Sequence, residues 1–239
     1  AAGVADQVKR IKLFEKALFA HIGYSIRNAV RSLVLGMSFG KFAAVPRDRR
    51  TAKYYQKLSR YSASLALVSE AAMLMLGGKL KQKEHLSARL GDVLSQLYIC
   101  SAMLKRYEAI DRPAADQAIL AWAFHDSIYK IQLALQQVLD NFPNRAMRVL
   151  LHVLVFPFGR RERMPGDRLT HKVAQLLLAP SDTRDRLTHG IYKSARTGHP
   201  VGLMEEALPQ VIAAEPLERK LLKALKGGEI DGITWDQQL

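Results

Sequence analysis

Apolar residues recur along the first two-thirds of the chain at helical spacing. Val4, Val8, Ile11, Phe14, Leu18, Ile22, Ile26, Val30, Leu33 and Met37 are separated by a mean of about 3.7 residues, the period of an α-helix rather than the alternation of a strand. Gly40 and Pro46 break the run, which puts the basic stretch Arg47-Asp48-Arg49-Arg50 in a turn. A second helix is expected over 51–76. Its Tyr54, Leu58, Tyr61, Leu65, Val68, Ala72 and Met75 form a heptad-like seam, and Gly77-Gly78 suits a left-handed C-terminal cap. A third carries Leu86, Leu90, Val93, Leu97, Cys100, Leu104 and Tyr107 and closes at Asp111-Arg112-Pro113. A fourth carries Leu120, Phe124, Ile128, Ile131, Leu135 and Val138 and ends at Asn141-Phe142-Pro143-Asn144.

Rods of about 25 residues are about 38 Å long, and short turns make sequential rods antiparallel. The expected fold is all-α: an antiparallel four-helix bundle over 1–141 in which each apolar stripe is buried against the others. Beyond residue 142 the pattern is more broken. Short helices are expected over 146–156, 169–178, 183–192, 203–214 and 217–225, with a basic loop over 158–166, making a smaller accessory subdomain of residues 142–239.

Composition narrows the function classes. Thirty-six Lys and Arg against 22 Asp and Glu give a net charge of +14, which attracts anionic lipid, phosphorylated ligands or nucleic acid without choosing among them. One cysteine, Cys100, leaves no intrachain disulfide, and its apolar helical surroundings read as a buried small hydrophobe. No secretory leader pattern is visible, and no uncharged apolar run approaches the ~20 residues that span a bilayer. The chain therefore reads as cytoplasmic. The missing initiator Met and the stop soon after a new turn read as a fragment or a processed product.

Motifs that carry chemistry are scarce. The seven histidines make no HExxH pair, no cysteine cluster offers a metal site, and no phosphate loop or GxSxG occurs. His125-Asp126 are adjacent on a helix and so point about 100° apart, which suits a structural pair better than an acid–base dyad. Glu205 and Glu206 lie at a helix start, where they favour the helix dipole. The feature above background is a set of cations, Arg145, Arg148, Arg160, Arg161, Arg163, Arg168 and Lys172, around the apolar segment 149–156. Two readings stand: a core helix beside a solvated basic loop, or an apolar element rimmed by arginine at an anionic membrane or at acyl-CoA phosphates. Nucleic acid is the weaker option, because no recognition motif accompanies the charge.

Several segments together resemble bacterial FadE-type acyl-CoA dehydrogenases, in the family's order and over nearly the whole chain. They are His21-Ile22-Gly23, Leu76-Gly77-Gly78, Ser87 through Tyr98, Ala102 through Tyr107, Asn141 through Arg145, Phe156-Pro157 with Gly159-Arg160, His171 through Ala174, and Pro200 through Leu208. The resemblance is to the family's helical C-terminal region. It implies a parent enzyme that oxidises fatty acyl-CoA to the trans-2-enoyl-CoA in β-oxidation, using FAD and a glutamate from a Val-Glu-Gly-Ala-Asn stretch. No such stretch occurs here, so the resemblance carries over no catalytic, cofactor-binding or metal residue and implies that the segment alone is inactive. It further implies as partners the rest of the parent chain, long-chain acyl-CoA through it, further copies in a homo-oligomer, and an anionic membrane. That places the chain peripherally on the inner membrane. The alternatives are an independent basic helical adaptor for anionic membrane or nucleic acid, and a segment that still dehydrogenates acyl-CoA by itself.

Overall fold

The computed structural model describes residues 2–46, 49–192 and 198–228. They form eight α-helices, α1 (Ala2–Met37), α2 (Arg49–Leu76), α3 (Glu84–Ala109), α4 (Gln117–Asp140), α5 (Arg145–Val155), α6 (Asp167–Leu178), α7 (Asp182–Thr188) and α8 (Pro200–Lys226), with no strand among the described residues. The all-α expectation is met. Gly77 takes the left-handed conformation foreseen for it (φ +49), but the chain then continues as a 3-10 helix over Gly77–Gln82 rather than a simple turn.

The core is built by the seams of α2, α3 and α4, closed at one side by α5. Tyr61, Val68 and Ala72 of α2 meet Val93, Cys100 and Leu104 of α3 and Phe124, Ile128, Ile131 and Leu135 of α4, all essentially excluded from solvent. Leu151, Val155 and Phe156 belong to the same core. The described residues fall into two compact units, one up to Val173 and one from Ala174, and α5 is joined to the core of the first by its apolar face. The stretch 50–82 is long and apolar enough to cross a membrane by length and composition, and in this fold it is a core helix with one buried face.

Helix α1 departs from expectation. It runs antiparallel to α2, pairing Ser25 and Asn28 with Glu70, Ser32 with Ser64, and the Gly40 turn with Gln56. The face it buries is mostly small or polar (Asn28, Ser32, Gly36, with Leu35 the one large apolar residue among them), whereas most of its apolar stripe is exposed. Phe14 is 67% accessible, and Val8, Ile11, Leu18, Ile22, Ile26, Val30 and Met37 are all exposed. The cause is local satisfaction. Glu70 on α2 needs donors, and Ser25 and Asn28 supply them, the latter at 2.8 Å. Gly36 brings the backbone close to Pro157, where an added Cβ would stand 3.1 Å from the ring. Gly40, at φ +83, faces the Gln56 carbonyl where any Cβ would collide at 2.3 Å. These contacts fix the rotation of α1 and turn its stripe outward. Asp6 and earlier side chains, and the Arg47-Asp48 turn, lie outside the described residues.

The second unit, from residue 174, carries α7 and α8. Arg184 grips Glu205 with both terminal nitrogens, at 3.2 and 2.5 Å, and Ser181 caps α7 by accepting from the Arg184 amide. The break expected between 214 and 217 does not occur: α8 runs unbroken through Pro209 and Pro216. Each proline removes one backbone hydrogen bond, and the remaining ladder carries the helix across. The helix expected over 183–192 stops at Thr188.

Replacing fully buried Phe124 with Ala is expected to cost about 3–5 kcal/mol, whereas Phe14→Ala should stay within about 0.5 kcal/mol, both read from urea unfolding. Burial pushes the Cys100 thiol up to about 11, against a lowering contribution from its hydrogen bond with Ser127. The folded pKa is therefore above the unfolded one. The stability gained by keeping the thiol neutral is present below about pH 9 and lost as pH rises through about 11. A thiol reagent at pH 8 should react far more slowly with the native than with the unfolded chain.

Candidate functional site

The seven cations around 149–156 do not converge on one point. Helix α5 is 11 residues long, about 16 Å. Arg145 and Arg148 lie at its start, and Arg160, Arg161 and Arg163 follow its end in the loop before α6. Arg168 and Lys172 are on α6. All are exposed except Arg148, which is half-buried and donates to the Asp140 carbonyl at 3.1 Å. His152 stands 3.4 Å from the Asp140 carboxylate on the same side. The apolar segment itself is split. Leu151 and Val155 are in the core, while Val149, Leu150 and Val153 face outward. One face of α5 is therefore part of the core and the other is exposed.

The basic loop is held by buried polar groups that the sequence did not single out. Gln132 on α4, almost wholly buried, accepts from the amides of Arg161 (2.9 Å) and Glu162 (3.0 Å) and donates to the Glu162 carbonyl (3.2 Å). The Glu162 carboxylate turns inward to Lys57 (2.6 Å) and the Tyr61 hydroxyl (3.3 Å). Burial, chiefly, with Glu162 beside it, drives the Tyr61 phenol far above its ordinary value, so it is a permanent donor. Close by, His125 is held below its usual pKa by burial and then by Lys57. Its neighbour Asp126 bridges Lys130 at 2.7 Å. The pair therefore serves separate partners and makes no acid–base dyad. Arg161 stacks on Phe39 and Phe158, and buried Arg60 stacks on Phe39 and Tyr61, tying the loop to the α1–α2 turn. A Gln at a helix position between apolar neighbours is the one signal that could have found this clamp.

Among the described residues, three cavities bear on what could bind. An open polar one of about 610 Å³ lies at the start of α3, lined by Lys83, Glu84, His85, Arg89 and Asn141. An apolar groove of about 340 Å³ lies among α1, α2 and α5, lined by Ile26, Leu67, Leu74, Met75, Leu150 and Leu154, with Glu70 at its floor. The third, also about 340 Å³, is bounded by Arg31, Val34, Phe42 and Ser59. Glu70 is 4% exposed and accepts from Ser25 and Asn28, with His21 at 4.0 Å. No group of three or more potential metal ligands occurs among the described residues.

Gln132→Ala leaves the Arg161 and Glu162 amides without their acceptor. It is expected to cost about 1–3 kcal/mol and to free the loop, so that trypsin cuts after Arg160, Arg161 or Arg163 at least about tenfold faster. Unchanged cleavage would show that the stacked rings alone hold the loop.

With this geometry in hand, comparison with known proteins gives one clear result. No solved structure matches the chain. The family model described as "Acyl-CoA dehydrogenase, C-terminal, bacterial type" matches residues 1–239, from one end of the sequence to the other. The helical scaffold and that unbroken match agree: the chain belongs to the family of bacterial-type acyl-CoA dehydrogenase C-terminal domains.

Proposed function

We propose that this chain is the assembly and docking domain of an FAD-dependent acyl-CoA dehydrogenase of fatty-acid β-oxidation, with the catalytic glutamate and most flavin contacts on other segments of the parent. The observation that carries the reading is the family match over 1–239, which implies an oxidoreductase parent of which this is one helical domain. FAD needs a flat apolar slot for its ring beside cations for its diphosphate. The 610 Å³ cavity has the cations Lys83 and Arg89 but no aromatic wall. The apolar groove has Glu70 at its floor, which repels phosphate. These residues do not fit the cofactor, and no chemical step is assigned to them.

In this reading Arg145, Arg148, Arg160, Arg161, Arg163, Arg168 and Lys172 contact an anionic surface, and the enzyme sits peripherally on the cytoplasmic side of the inner membrane as a homo-oligomer. Arg160 and Arg163, exposed on a loop pinned by Gln132, are the residues best presented for that contact. Nothing in the geometry favours a nucleic-acid adaptor.

The purified chain should show no flavin absorbance and no dehydrogenation of a long-chain acyl-CoA with a dye acceptor, while the complete parent shows both. Stoichiometric FAD on this chain alone would overturn the division of labour.

A further inference from the structure

Helix α1 carries an apolar stripe that is exposed along much of its length. At about 100° per residue, Val8, Ile11, Leu18, Phe19, Ile22 and Ile26 fall within about a third of the helix circumference. The face packed on α2, marked by Asn28, Ser32 and Leu35, is centred about 120° away. Because Ser25 pairs with Glu70, near the end of α2 at Leu76, the first half of α1 extends past that end. Phe19 is 69% exposed there. The helix has 36 residues and is therefore about 54 Å long.

The stripe is continuous with the apolar groove. Ile26 (58% exposed), Leu74 (59%) and Leu150 (50%) line one cavity, so the outward faces of α1, α2 and α5 join there. Contiguous exposed apolar surface of this extent marks a contact site.

Charge selects the occupant. From residue 7 onward α1 carries Lys9, Arg10, Lys12, Lys16, Arg27 and Arg31 against the single acid Glu15. Lys9, Lys12, Lys16 and Arg27 project from the edge of the stripe that lies away from the protein body. A second copy of the helix would bring like charges together. An anionic bilayer instead accepts the stripe at the level of the acyl-chain boundary and lets the lysines reach lipid phosphates along their own alkyl stems.

We propose that the outward face of α1, extended by the groove at Ile26, Leu74 and Leu150, is the principal bilayer-contact surface of this domain, lying in the plane of an anionic membrane. The proposal rests on the reading that the domain docks its parent at an anionic surface, and it moves the main contact from the basic loop after α5 to α1.

Sedimentation with vesicles of DOPC alone, or of DOPC with about 30 mol% DOPG, tests it. The chain should bind the anionic vesicles and retain part of that binding at about 0.5 M salt, where purely electrostatic contact is screened. Phe19→Glu with Ile22→Glu should weaken binding at least about tenfold. Lys9→Gln with Lys12→Gln and Lys16→Gln should reduce it about fivefold per lysine, on anionic vesicles only. All five side chains are exposed, so the urea midpoints should match wild type. If Arg160→Gln with Arg163→Gln abolishes binding and the Phe19/Ile22 variant binds as wild type, the α1 proposal falls and docking through the loop stands. If wild type binds no anionic vesicle, both fall. A dimer seen by sedimentation velocity without lipid, and dissolved by the Phe19/Ile22 changes, would overturn the proposal in favour of a second copy covering the stripe.

Discussion

The fold depends on how one carboxylate is satisfied. Glu70 lies on the core helix α2, nearly excluded from water, and a buried carboxylate is tolerated only with donors in place. Ser25 and Asn28 provide them, and both are on α1. That requirement sets which face of α1 meets α2. Once the polar face is turned inward, the stripe has nowhere to go but out. Gly36 against Pro157 and Gly40 against Gln56 hold the same rotation farther along. One polar contact thus decides that the domain presents a long apolar face instead of closing on itself.

The core beneath it needs no such device. The seams of α2, α3 and α4 are apolar, regularly spaced and mutually buried, with α5 sealing one side. The basic loop gains definition from Gln132 and the inward-turned Glu162, so its arginines are displayed from a fixed backbone. A packed apolar centre, a pinned cationic loop and a basic helix with an exposed apolar face are the features on which the docking proposal rests.

Periodicity made α2, α3 and α4 legible, because most seam residues from Tyr61 to Val138 face the interior their spacing implies; Met75, near the end of α2, is exposed. The same periodicity misplaced the stripe of α1. Spacing shows that a helix has an apolar side but not which side its neighbours will take, and the deciding residues Ser25 and Asn28 lie 45 and 42 positions from their partner Glu70. Two helices, over 203–214 and 217–225, were expected where one persists: Pro216, between them, lowers local helix stability without forbidding a longer ladder. The cations after α5 were visible in the sequence. Their places on either side of the apolar segment were visible too; that Leu151 and Val155 of that segment are buried while Val149, Leu150 and Val153 are exposed was not. The family was readable from ordered segments such as Ser87 through Tyr98, and the match over 1–239 bears this out.

The rotation of α1 can be measured directly by maleimide labelling of single introduced cysteines, with native Cys100 protected in the core. Ile26 and Ser32 lie about 120° apart around the helix, the first exposed and the second fully buried. Ile26→Cys is expected to label at close to the rate of a free thiol, and Ser32→Cys to label at least about a hundredfold more slowly. The reverse order would mean that the apolar stripe faces α2, and that no outward contact face exists.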